Sequence, residues 1–197
     1  HPYSATFSRV LLGTYAFAFQ VYGDFAGYTH IAIGCARLFG FTLTRNFAYP
    51  YFAASPAEFW RRWHITLSTW FRDYVYIPLG GSRRSPFRTA LNTMATFLLS
   101  GLWHGAGYNF PAWGGFHGLL VACQQWLARK ARPAGRAARL PAVRRFLSAL
   151  ATFHAVCLGW ILFRSASLGD AVRLAVTGLT DIGTLDGVPP ALFTAIP

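Results

Sequence analysis

Residues 146–163 read FLSALATFHAVCLGWILF, an apolar run with no charged side chain between Arg145 and Arg164. A run of this length crosses the hydrocarbon layer of a bilayer as one helix, which takes about 17 to 25 residues. Outward from it, four further apolar runs cover residues 10–22, 25–41, 93–103 and 110–127, the second interrupted by His30 and Arg37. Each of these is marginal as a span on its own. The composition points the same way: 54% of residues are hydrophobic, 17% are aromatic and only 12% are charged, about half the charged share of a soluble domain. A soluble helical protein with an unusually aromatic core is the alternative, and the charge deficit weighs against it.

The formal net charge is +12, nearly all of it arginine, and it is gathered in blocks rather than spread over a surface. GGSRRSPFR at residues 80–88 and ARKARPAGRAARLPAVRR at residues 128–145 both lie between apolar runs. The positive-inside rule assigns both to cytoplasmic loops. An arginine-rich nucleic-acid arm is the other reading of the second block, but its position between two apolar runs fits a membrane loop better, so no nucleic acid is expected as a partner. Residues 89–127 must then leave the cytoplasmic face and return. Gly101, Gly105, Gly107, Pro111, Gly114 and Gly115 are expected to break the middle of that stretch, giving either two short spans or a bent, re-entrant hairpin. Broken backbone at membrane depth is tolerated inside protein or along a wet cavity, which places His104, in LLSGLWHGAGYNF (residues 98–110), beside such a cavity.

The best-marked helix start is SPAEFWRRWHITLSTWFRDY, residues 55–74. Ser55 serves as N-cap, Pro56 suits the first helical position, and Glu58 completes a capping box. At about 100° per residue, Phe59, Trp60, Trp63, Leu67, Trp70, Phe71 and Tyr74 form one stripe, with Glu58, Arg62, Thr66, Thr69 and Asp73 opposite. This predicts one amphipathic helix lying in the membrane interface or lining a cavity. His64 falls on the border of the stripe, three residues from Arg61 and four from Trp60 and Ser68.

His104 stands between Trp103 and Gly105, and no acid lies within reach in the chain. A desolvated imidazole is held neutral, which is the form a general base needs. A packed, hydrogen-bonded core histidine is the other reading. Asp24, flanked by Gln20, Tyr22, Tyr28 and His30, either ties two helices together or orients a substrate or a histidine. His117, among glycines that permit close helix packing, reads as a packing residue behind the site. His30, His64, His104 and His117 show no ligand spacing, so no metal site is expected. Cys35, Cys123 and Cys157 form no disulfide framework. Gly105 and Gly107 make no dinucleotide fingerprint, and no Gly-x-Ser-x-Gly elbow occurs. The start of the chain has neither an initiator Met nor a signal-peptide pattern, so it reads as a piece of something longer.

Three blocks carry a resemblance to a known family. EFWRRWHITLSTWFRDYVYIPLGGSR, LLSGLWHGAGYNFPAWGGFHG and YGDFAGYTHIAIG closely resemble the membrane-bound O-acyltransferases, in particular their bacterial alginate O-acetyltransferase branch, over about residues 20–163. The resemblance implies an all-α, polytopic integral membrane protein with transmembrane, re-entrant and interfacial amphipathic helices. It also implies that residues 1–197 are the C-terminal portion of a single membrane domain in the bacterial inner membrane. His104 resembles the family's catalytic histidine and His64 its second functional histidine, while Tyr22, Asp24 and Phe25 fall on its YxDF block. Relatives usually carry an acid where His30 stands, which leaves that position without an implied duty.

The activity so implied is transfer of an acetyl group from a cytoplasmic thioester, acetyl-coenzyme A, across the membrane to hydroxyls of an exopolysaccharide such as alginate. The donor is a substrate, and no bound cofactor is implied. Arginines of the basic loops would attract its phosphates, His104 would act as general base or relay the acyl group, and His64, Arg61 and Ser68 would position the thioester, with Trp103 as a rigid wall. Periplasmic acetyltransferases and the exopolysaccharide are the implied partners, within membrane lipid. The alternatives are a proton-relaying transporter, which would show repeated halves that this sequence lacks, and a non-catalytic scaffold for a periplasmic acetyltransferase.

Overall fold

A computed structural model describes residues 7–130 and 141–180, and every described regular element is helical. In chain order these are α1 (Phe7–Leu38), a 3-10 turn at Pro50–Phe52, α2 (Pro56–Arg62), α3 (Ile65–Phe71) running into a π turn at Arg72–Tyr76, α4 (Pro86–His104), α5 (Asn109–Lys130), α6 (Ala142–Arg164) and α7 (Leu168–Thr180). The central part of the second basic block, residues 131–140, lies outside the described residues.

The first two apolar runs fuse into the 32 residues of α1. Gly23 and Gly27 lie inside it without breaking it, and a Cβ on either would meet nothing within 4 Å. Among the described residues, α6 alone is long and apolar enough to count as a membrane span by length and composition. Tyr15 of α1 and His154 of α6 tie these two helices together. His154 Nδ1 donates to Leu150 O at 2.8 Å, which leaves Nε2 to accept from the Tyr15 hydroxyl at 2.6 Å. Large apolar side chains such as Phe19, Ile31, Leu150 and Leu158 stay exposed along the same pair of helices, as they would against lipid or further helices.

The glycines do not break residues 101–115 as a stretch: only residues 105–108 interrupt the pair α4 and α5. Gly101 and Gly114 sit inside helices where the backbones touch: a Cβ on Gly101 would collide with Phe110 O, and one on Gly114 with Phe97 O. These glycines permit close approach instead of disrupting the helix, as small residues do between membrane helices.

Contrary to the amphipathic pattern, residues 55–74 do not form one helix. The start is as read: Ser55 Oγ accepts from Glu58 N at 3.2 Å, with Pro56 in the first turn, and Glu58 Oε2 accepts from Ala54 N at 2.8 Å. The helix then stops at Arg62. Trp63 is extended (φ −105°, ψ 129°) and His64 is left-handed (φ 43°, ψ 57°) before α3 resumes. The aromatic stripe is split as a result. Phe59, Trp63 and Phe71 are buried, whereas Trp70 and Tyr74 are 50% and 68% exposed.

The core lies where α1, the 3-10 turn, α2 and α6 meet, and it is mainly aromatic. Phe47 packs edge-on to Trp63 at 5.0 Å, Trp63 meets Trp160 at 5.0 Å, and Tyr51 meets Phe153 at 5.3 Å. Each such pair contributes about 0.5–1.5 kcal/mol beyond the area it buries, which gives this bundle rigid walls on one side of the cavity described next.

Candidate active site

α4 presents Thr93, Thr96, Phe97, Ser100 and His104 to one cavity, at the three- and four-residue spacing of a single helical face. α5 runs back alongside with Gln125, Val121 and Trp113, and the broken segment between α2 and α3 closes a third side with Arg61, Trp63, His64 and Ser68. The volume is about 540 Å³. From Thr93 to His104 the cavity follows α4 for about 16 Å, at 1.5 Å per residue.

His104 ends α4. Its ring is boxed edge-on by Trp103 at 4.8 Å, Trp113 at 5.1 Å and Phe163 at 5.2 Å. Gly105 follows because the Phe110 ring lies where its Cβ would stand. The aromatic box fixes the plane of the imidazole without a carboxylate.

His64 reaches the same cavity from another part of the chain, its ring edge-on to Phe25 of α1 at 4.6 Å. Its left-handed backbone costs a non-glycine residue about 1–3 kcal/mol, a kind of strain that gathers at functional positions. The short helices on either side of His64 span nothing. Burial pushes its imidazole down to about 4, and the neighbouring His104 adds to the fall. His64 is therefore neutral at physiological pH.

The other expected site residues separate into two groups. Arg61 and Ser68 line the cavity, with Ser68 Oγ donating to Trp63 O at 3.1 Å. Tyr22 stands behind it in the aromatic core, against Phe47, Tyr51 and Trp63. Trp103 touches His104 but is 58% exposed and does not line the cavity. Asp24 and His30 are exposed and away from it. His117 is fully buried behind the cavity wall, edge-on to Trp60 and Trp113, and no described group bonds either of its ring nitrogens. Among the described residues, no three of His, Cys, Asp and Glu converge as metal ligands would.

Trp113, Phe163, Arg72 and Gln125 also line the cavity and were not singled out in the sequence. The stripe Thr93, Thr96, Ser100 and His104 was a legible signal, since small hydroxyls recurring every three or four residues in an apolar run mark a polar face. Arg72 pairs with Asp73, donating from Nε at 2.7 Å and Nη2 at 3.2 Å. On the far side of Phe163 a second cavity of about 560 Å³ is lined by Gln20, Asn109, Arg164 and Ser165. Phe163 is common to both cavities.

Comparison with known proteins identifies the family. The family profile described as MBOAT, membrane-bound O-acyltransferase family, matches residues 3–162. The chain is 45% identical over 163 residues to a protein named probable alginate O-acetylase AlgI from Pseudomonas aeruginosa, covering 83% of this chain and 30% of that protein. It is 36% identical over 171 residues to a peptidoglycan O-acetyltransferase from Helicobacter pylori, covering 87% and 32%. It is 32% identical over 162 residues to a teichoic acid D-alanyltransferase from Bacillus subtilis, covering 78% and 40%. The chain thus spans about a third of the length of the curated relatives it matches. With a profile match over most of its length, and with both histidine-bearing blocks inside the matched residues, the chain belongs to the membrane-bound O-acyltransferase family.

Proposed function

We propose that this chain carries the acyl-transfer centre of a polytopic inner-membrane O-acyltransferase, which takes an acetyl group from acetyl-coenzyme A and delivers it towards hydroxyls of an exopolysaccharide. The observation that carries this reading is the convergence of His104 and His64, from separate blocks of the sequence, on one cavity. α1, α4, α5 and α6 would cross the bilayer, with α2 and α3 set among them.

The basic loop at residues 80–88 precedes α4, and His104 ends that helix about 27 Å away, at 1.5 Å per residue. Positive-inside orientation puts the loop in the cytoplasm and His104 towards the outer leaflet. A thioester would enter at the level of Arg61, Arg72 and Gln125, where guanidinium groups attract its phosphates. The acceptor hydroxyl would approach from the cavity beyond Phe163. In the transfer step its proton passes to the His104 imidazole while the C–O bond forms and the C–S bond breaks. The imidazolium then returns the proton to the leaving thiolate. His64 and Ser68 would hold the thioester in line. Alginate is the acceptor named for one relative, and periplasmic acetyltransferases would carry the group onward.

The test is polymer acetylation in cells expressing the whole gene with His104→Ala beside wild type, at matched membrane levels. Loss of about 100-fold or more is expected for a general base. Retained acetylation would return His104 to a packing role.

A further inference from the structure

Nothing in the local sequence breaks the helix at His64. Residues 60–68, WRRWHITLS, contain neither Gly nor Pro, and the amphipathic pattern runs straight through them. The hold must come from elsewhere in the chain, because a left-handed histidine is disfavoured where a right-handed one would keep the ladder.

Residues 46–48 supply that hold. Ala48 N donates to Arg62 O at 3.0 Å, and Asn46 O accepts from Ile65 N at 2.9 Å. The Asn46 side chain goes further: its Oδ1 accepts from Thr66 N at 3.2 Å and from Thr66 Oγ1 at 2.6 Å. His64 occupies the N-cap position of α3 but makes no side-chain capping bond. Asn46 therefore caps α3 from another part of the chain, bonding backbone amides that the break at His64 leaves open. Its neighbour Phe47 is buried against Tyr22, Phe25 and Trp63, so the cap cannot drift from the break.

We propose that Asn46 is a positioning residue for acyl transfer: by capping α3 from a separate segment of the chain it keeps His64 in its left-handed backbone and its imidazole in the cavity. The two main-chain bonds do not depend on the residue type at 46, whereas the Oδ1 bonds do. Loss of the amide removes both side-chain bonds to the exposed Thr66 and leaves the two main-chain bonds to oppose closure of the α-helical ladder from Arg62 into Thr66. That closure trades those two bonds for helical ones, turns His64 back to the right-handed region and carries its ring away from Phe25.

This inference rests on the proposed role of His64 for its effect on activity but not for its effect on the backbone, so two measurements are paired. In the whole gene, N46L, N46D, H64A and the N46L/H64A double variant are compared for polymer acetylation at matched membrane levels. N46L is expected to lose about 10- to 100-fold, the scale of a misplaced group. The double variant should be no worse than H64A, and N46D, which keeps an oxygen acceptor, should stay near wild type. Losses that multiply in the double variant, or N46D falling as far as N46L, would overturn the proposal. Cryo-electron microscopy of the intact N46L protein supplies the second arm: a continuous helix through His64 supports it, and an unchanged left-handed His64 refutes it. If H64A leaves acetylation intact, the functional reading of His64 fails on its own, and the backbone measurement still decides what Asn46 does.

Discussion

His104 and His64 reach the same cavity by opposite means. His104 ends a long helix with its ring among Trp103, Trp113 and Phe163, and its neighbours in sequence already implied a walled imidazole. His64 owes its place to a backbone conformation that its neighbours disfavour. Because burial brings its imidazole to about 4, below the ordinary 6.5, the unfolded chain binds more protons than the folded one between those values. Stability linked to this group is therefore lost as pH falls from 6.5 towards 4. Histidine-labelled protein in detergent should show by NMR one ring titrating near 4 that disappears in His64→Ala; a ring titrating near 6.5 in its place would contradict the burial seen here. The cavity side chains that the sequence hid, Trp113 and Phe163 above all, are apolar residues in apolar runs. Nothing in their type separates a wall of the site from a contact in the core.

The pair α4 and α5 shows how the same residue type serves two ends. Glycines at 101, 105, 107, 114 and 115 read as a broken stretch, yet the break is confined to residues 105–108. Gly114 lets its helix press against Phe97 O, whereas a Cβ on Gly115 would meet only Leu98 Cδ2 at 3.5 Å, an ordinary contact. Gly114→Ala should therefore destabilise the protein by about 1–3 kcal/mol through forced separation of the helices. Gly115→Ala should be neutral or gain up to about 1 kcal/mol from the lower entropy of the unfolded helix segment. Thermal unfolding in detergent distinguishes them, and equal shifts for the two variants would rule out close approach as the reason for Gly114. The helix start at Ser55 was legible from its capping box, but its end at Arg62 was not, because the groups that end it lie at Asn46 and Ala48.

At the scale of the whole molecule, the basic loop and the 105–108 turn stand at opposite ends of α4 and α5. If those helices cross the bilayer, Arg83 and Tyr108, both exposed, face opposite compartments. In a variant without Cys35, Cys123 and Cys157, a membrane-impermeant maleimide applied to spheroplasts should label Tyr108→Cys and spare Arg83→Cys until the membrane is opened. Labelling of both from outside would exclude the proposed orientation. In that orientation the cavity lined by Gln20 and Arg164 would lie on the outer side of Phe163 and the arginines at 61 and 72, which line the other cavity, on the inner side.

By itself the sequence determined the helical class, the family, the capped start at Ser55 and the two histidines worth testing. The class follows from composition and the capped start from a short motif, while the family and the two histidines come from the resemblance of three sequence blocks to known proteins; all of these are read over a few neighbouring residues. The tertiary structure alone decided that Asp24 and His30 stand outside the cavity, that His117 is sealed behind its wall, and that His64 is turned into it. Each of those outcomes depends on contacts between segments far apart in the chain. The backbone of His64 is the plainest instance: its local preference is helical, and hydrogen bonds from residues 46–48 override it.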